Sequence, residues 1–349
     1  MTEMKPEEKL LKTYSKPELK EPFLVAAGPG TANVGFWVAS YIQEKLGAEL
    51  FAEIEPGDFF TPPHSFTFRD GLIDIAPVEA GEHQPQNRFY YWKSGKDHDI
   101  IFFTGNTHPL PGKVPELAGY VLEVAQSFGL KRLYMPGAFL ADIHHLAEPT
   151  LYGSATNDEL RQYLRSHNVV DAPPMNIAHN LNAWLLGMAK RKDIDAIGLV
   201  SEIPAYKPEE RNIRACRVLV RALLQMLEIE APDLSDLDTL LAEEDKRTEL
   251  QLDELRESAD ERVAGFLHYL DVMEERGQQA SKDRGVLLPS EIELPASLKF
   301  VEELYAQAKS DPERVGGLRL AVQQLGSSDR LLIMRKYGEE IMSLLGYQV

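Results

Sequence analysis

The sequence predicts an α/β fold: a mostly parallel, doubly wound sheet with an inserted β-hairpin, followed by a C-terminal helical appendage. Three observations point there. Short apolar runs such as FLVAA (23–27) and DAIGLVS (195–201) suit strands buried on both faces. Stretches of helical period lie between such runs, the rhythm of a parallel sheet. From about residue 230 the chain turns acidic while apolar residues keep helical spacing.

The elements follow in order. Residues 1–20 are polar and proline-punctuated and read as a mobile arm. FLVAA is the first core strand. The turn GPGTAN leads into VGFWVASYIQEKL, whose Val34, Trp37, Val38, Tyr41 and Ile42 recur as one helical face. ELFAEI (49–54) is the next strand, which completes a β-turn-α-β opening. SFTFRDGLIDIA (65–76) alternates about Asp70-Gly71 and reads as the inserted hairpin. Strands are expected at 87–93, 99–105, 131–136 and 195–201. Helices are expected at 113–128, 157–166, 176–190 and 208–228.

The domain reading is an arm at 1–20, an α/β/α body at 21–230, an acidic amphipathic segment at 231–276, and a linker with a small helical tail at 277–349. Residues 228–262 hold fourteen Asp or Glu against four Lys or Arg, more than half of the chain's net charge of −18. Leu234, Leu237 and Leu241, then Leu252, Leu255, Val263, Phe266, Leu270 and Met273, still mark a helical stripe. That stripe suits either a face packed on its own domain or a partner arm.

Charge and composition exclude several classes. A net charge of −18 over 349 residues argues against nucleic acid and against an anionic membrane surface. The single cysteine, Cys216, forbids an internal disulfide framework. No apolar run approaches the ~20 residues of a membrane span, and the first residues lack a signal peptide's apolar core. The expectation is a cytoplasmic protein.

Candidate site residues cluster where strands end. Gly28, Gly30 and Asn33 lie in a turn from strand to helix, the position of a phosphate-binding loop or of a tight structural turn. Asn33 stands where a third glycine would be, and Pro29 removes one N–H. Asn106 and His108 follow the strand 99–105 and line a crevice or cap the next helix. Asp142, His144 and His145 allow metal binding, an acid–base dyad or structural hydrogen bonding. Glu202 and Tyr206 end the last main strand. No Gly-x-Ser-x-Gly elbow occurs, and Cys216 sits in a helical pattern. No catalytic residue, metal ligand or cofactor is therefore assigned, and the reading leans away from an enzyme without settling the matter.

FLVAAGPGTANVGFWVASYI (23–42), AEIEPGDFF (52–60), LYMPGAFLADIHHLAEP (133–149), PPMNIAHNLNAWLLGMA (173–189) and GLVSEIPAYKPEERNIRACRVLVRALLQMLEI (198–229) occur in series. With the loop after DIIFFTG, they resemble the proteasome assembly chaperone family, the one named after the second eukaryotic chaperone subunit. The resemblance spans about 23–270. It implies a three-layer α/β/α domain like that of nucleoside phosphorylases and hydrolases, oligomers, protein partners and no established catalysis. Some relatives dock on proteasome rings through a hydrophobic-Tyr-X tail. Here Tyr347 is third from the end, so the resemblance does not carry that docking over. The loops Asp142-Ile143-His144-His145 and 105–109 also depart from the family pattern. Two functions follow: a non-catalytic homo-oligomeric assembly or protein-binding protein, or a small-ligand binder or enzyme using the strand-end crevice, phosphorylase/hydrolase-like or of the ATP-grasp type.

Overall fold

A computed structural model describes residues 10–60, 64–77, 85–173, 180–208, 211–257, 261–282, 298–311 and 314–325, with the isolated positions 333, 337 and 341. His179 and Tyr347 lie outside the described residues, as does most of the linker expected after 277.

Among the described residues the strands are β1 (Leu11–Thr13), β2 (Phe23–Ala27), β3 (Glu49–Ile54), β4 (His64–Arg69), β5 (Leu72–Pro77), β6 (Asn87–Trp92), β7 (Ile100–Gly105), β8 (Arg132–Ala141), β9 (Leu151–Ala155), β10 (Val170–Asp171) and β11 (Asp195–Pro204). The helices are α1 (Val34–Lys45), α2 (Val114–Ser127), α3 (Asp158–Ser166), α4 (Leu181–Arg191), α5 (Ile213–Met226), α6 (Ser235–Arg256), α7 (Glu261–Lys282), α8 (Lys299–Ser310) and α9 (Val315–Gln324).

Nine strands form one mixed sheet in the order β1-β3-β6-β7-β2-β8-β11-β9-β10. Its centre, β7-β2-β8-β11, is parallel throughout. Antiparallel strands flank it on both sides. Strands β2 and β7 are buried along their whole length because helices cover both faces. Residues of α1, α3 and α5 fill one layer with Val25, Phe102 and Tyr134. Residues of α2 and α4 fill the other with Leu24, Phe89 and Phe103. The architecture is three-layer α/β/α.

The hairpin pairs as expected about Asp70-Gly71, both at positive φ, and forms its own two-stranded sheet. Several expectations need correction. Residues 11–13, read as part of a mobile arm, pair antiparallel with β3 at the sheet edge. The backbone N–H of Tyr14 continues that contact to Phe51 O. Leu11-Lys12-Thr13 is too short to carry a period of its own, so the open edge of β3 decides this strand. β9 and β10 are likewise too short for a legible pattern.

The expected strands 131–136 and 195–201 run on to Ala141 and Pro204, because each supplies the other's ladder over ten paired positions. Pro136 and Gly137 therefore lie inside a strand and do not turn. The ladder from β2 stops at Tyr134, so Pro136, without an N–H, sits where β8 has a strand on one side only.

The acidic segment is two helices, and α7 extends to Lys282. α6 is not a loose appendage: Leu237 is fully buried in the α1/α5 layer, and Leu241, Glu244 and Thr248 are buried along the same face. α8 and α9 share a separate small core around Leu298, Val301, Tyr305, Leu318, Ile333 and Ile341. No helix among the described residues is long and apolar enough to cross a membrane.

Candidate functional site

The strand ends form two levels. Tyr134 pairs with Val25, so Ala27, the last residue of β2, is level with Pro136. β8 and β11 continue together to Ala141 and Pro204. At about 3.3 Å per residue they reach roughly 16 Å farther. The ten candidate residues therefore do not share one crevice. Gly28, Gly30, Asn33, Asn106 and His108 belong to the lower level. Asp142, His144, His145, Glu202 and Tyr206 belong to the upper one.

The lower level is closed by neighbouring chain. Gly28 N–H donates to Asn182 Oδ1 at 3.0 Å, and a Cβ on Gly28 would stand 3.0 Å from the Leu181 side chain. The start of α4 thus packs directly on the turn and occupies one of the amides a phosphate would need. Gly30 has extended backbone, whereas Ala32 and Asn33 carry positive φ. Asparagine tolerates that conformation because its short polar side chain can bond locally. Asn106 Oδ1 accepts the Gln86 N–H at 2.7 Å, and its own N–H donates to Gln86 O at 3.1 Å. That clasp ties the end of β7 to the start of β6. His108 is exposed.

At the upper level His144, His145 and Tyr206 lie together, with Glu202 beside them. The His145 backbone N–H donates to the Tyr206 hydroxyl at 2.8 Å, and the same hydroxyl lies 2.9 Å from His145 Nδ1. His144 is buried, its Nδ1 accepts the Leu146 N–H at 3.3 Å, and the two imidazole centroids are 4.1 Å apart. Buried Glu202 accepts the Thr150 N–H at 2.9 Å and the Tyr152 hydroxyl at 3.2 Å. Asp142, on the exposed side, accepts from Tyr269 of α7 at 3.3 Å. Ile143, His144, His145, Glu202, Asn212 and Arg214 line a shallow cleft of about 160 Å³, open solvent included.

Electrostatics follow burial. Burial, then His144 and Lys207, lower the His145 imidazole from 6.5 to about 4. Burial also lowers His144, against the pull of Glu274. The Tyr206 hydroxyl is raised to about 12, chiefly by burial. Burial raises the Cys216 thiol, so the only cysteine is a buried neutral group rather than a nucleophile. Among the described residues no three His, Cys, Asp or Glu side chains gather as a metal site requires.

Further partners of this cluster, on α5 and on the arm helices α6 and α7, went unread in the sequence. Arg214 Nε donates to His145 O at 2.9 Å, while its guanidinium makes a two-point pair with Asp245 of α6 at 2.8 and 2.7 Å. Lys207 pairs with Glu244 at 3.4 Å and bonds Thr248. Glu244 also accepts the Ile213 N–H at 2.9 Å, which satisfies a free amide at the start of α5. Phe266 of α7 meets the Tyr206 ring edge-on at 5.8 Å. A signal was present: Leu237, Leu241, Glu244 and Thr248 fall on one helical stripe that turns polar where Lys207 waits.

The arrangement is that of an α/β/α scaffold protein whose projecting strand tips are clasped by a helical arm. The model of the PAC2 family matches residues 24–256, two thirds of the chain, and the chain belongs to that family. Among solved structures it is similar to PbaB of Pyrococcus furiosus, described as an archaeal proteasome activator, at 25% identity and a TM-score of 0.56, covering 71% of this chain and 98% of PbaB. It is similar to the proteasome-assembly chaperone homologue Rv2125 of Mycobacterium tuberculosis at 18% identity and 0.53, over 70% and 100%. It is also similar to Rv2714 of the same organism, of unknown function, at 15% identity and 0.62, over 80% and 94%. The last two likenesses show the fold alone. No curated protein matches the chain.

Proposed function

We propose that the protein is a non-catalytic, homo-oligomeric, protein-binding member of its family that acts in the cytoplasm as an assembly chaperone does. The observation that carries this reading is the use made of the strand-tip polar groups. Tyr206 holds the His145 N–H, Glu202 holds the Thr150 N–H, and Arg214 holds both His145 O and Asp245 of α6, so these polar groups already serve the fold. PbaB, at 25% identity, is described as a proteasome activator, which supports a protein assembly as partner. The long helix α6, with eight Asp or Glu against three Lys or Arg, offers an acidic surface that such a partner would meet, so a basic partner face is favoured.

Light scattering on the full chain at ~10 μM is the first test, and a particle of more than one copy is expected. A strict monomer refutes the homo-oligomeric part. Turnover of any nucleoside or ester substrate that is abolished by Glu202→Gln refutes the non-catalytic part.

A further inference from the structure

Strand β8 loses its neighbour on one side before it ends. Its ladder with β2 stops at Tyr134, while its ladder with β11 runs to Ala141. Along a strand, alternate residues turn both main-chain groups to the same side. Ala141 O accepts the Ala205 N–H at 3.0 Å, and the Glu202 N–H donates to Thr150 O, away from β8, at 3.4 Å. Gly137, Phe139 and Ala141 therefore bond to β11, whereas Pro136, Ala138 and Leu140 turn away from it. Pro136 O agrees with this direction, since it is the atom that a Cβ on Gly35 at the start of α1 would strike.

Ala138 and Leu140 thus present two N–H and two C=O groups in the place that β2 would fill if it continued. Among the described residues no strand and no main-chain group bonds them on that side. The edge is reachable: Leu140 is 41% exposed, and Ala138 and Phe139 are half-buried. An open strand edge of this kind is a template for another strand. Residues 137–141 offer roughly 16 Å of it, at about 3.3 Å per residue. An incoming residue level with Leu140 would lie beside an exposed apolar side chain, which suits a β-branched residue.

The charge at this end is acidic. Exposed Asp142 follows Leu140 by two positions, and Asp271 and Glu274 of α7 lie within electrostatic reach of His144 in the same loop. Lys207 and Arg214 at this end are held by Glu244 and Asp245 of α6. We propose that the open edge of β8 binds an extended, basic and β-branched segment of a partner protein by strand addition. The inference deepens the protein-binding reading above and rests on its basic partner. A second copy of the chain fits the edge less well, because it would bring Asp142 and the acids of α6 against their own kind.

The probe is the peptide KVTVTVK with both ends capped, titrated into the nitrogen-labelled full chain and followed by NMR. Saturable binding at or below ~1 mM is expected, with the largest amide shifts at Ala138 and Leu140. Hydrogen exchange at those two amides should slow about tenfold at saturation. EVTVTVE should bind at least about tenfold more weakly, and KVTVTVK methylated on every internal amide should not bind. Leu140→Pro removes an edge N–H and leaves the β11 ladder whole, so it should weaken KVTVTVK about tenfold with the melting temperature kept within ~2 °C. Should that variant not fold, the methylated peptide decides. Absence of saturable binding overturns the proposal, and so does binding that is blind to amide methylation. Shifts confined to α6 overturn the edge while leaving the protein-binding reading standing. A fall in particle mass in Leu140→Pro, with no peptide bound by the natural protein, assigns the edge to a second copy and overturns the proposal too.

Discussion

Glu244→Ala is the sharpest perturbation of the arm. The side chain of Glu244 is 7% exposed and that of Lys207 is 11% exposed. Removing the carboxylate leaves Lys207 with Thr248 alone among these contacts and strips the Ile213 N–H of its acceptor. Breaking a buried pair from one side costs ~3–5 kcal/mol because the remaining charge stays buried. An orphaned buried amide alone costs ~1–3 kcal/mol, and the two effects overlap. Alanine's better helix propensity returns a few tenths of a kcal/mol. A net loss of about 4 kcal/mol follows, read as a fall in melting temperature of roughly 8–16 °C at ~2–4 °C per kcal/mol. Urea unfolding gives the free energy, with Glu243→Ala on the exposed side of α6 as the control, expected within about 0.5 kcal/mol of the natural protein. A loss below ~1 kcal/mol for Glu244→Ala would refute the reasoning, because α6 would then not be seated through this carboxylate.

Gly35→Ala should destabilise by ~1–3 kcal/mol in the same assay, since the new Cβ would lie 2.2 Å from Pro136 O and force α1 away from β8. Burial raises the Asp171 carboxyl, but hydrogen bonds from Arg165 and Arg161 outweigh it and hold the group below its ordinary 3.8. Its contribution is therefore present above that value and fades as pH falls through the lowered one. Asp171→Asn should cost at most ~1 kcal/mol at pH 7 and less at pH 2, checked by urea unfolding at both. Nucleosides, inorganic phosphate and ATP at 1 mM should each leave the melting temperature within ~1 °C; a rise of several degrees, lost in Gly28→Val, would restore a ligand role to the lower level.

The core of the fold was legible because its signals are local. FLVAA and IIFFTG are apolar without interruption, and a strand covered on both faces has to be. The register of Phe66 with Ile75 across Asp70-Gly71 was likewise set by turn chemistry within a few residues. The site was legible only in part. His144, His145 and Tyr206 lie together with Glu202 beside them, whereas Asp142 turns to Tyr269, and the turn after Ala27 lies about five residues of strand below the ends of β8 and β11. No local pattern gives the difference in length between β2 and β8, since the strand reads as ending at residue 136 until β11 is laid beside it.

The sequence by itself determined the alternation of strands and helices, the acidic stripe after residue 230 and the absence of a disulfide framework, because period, charge and residue counts need no partner. Tertiary structure alone decided that β1 closes the sheet edge, that α6 is part of the body, and that the paired histidines face Tyr206 and the helical arm. Each of those outcomes depends on what the rest of the chain brings within about 4 Å, and contacts between residues 40 to 130 positions apart leave no period in the sequence to read.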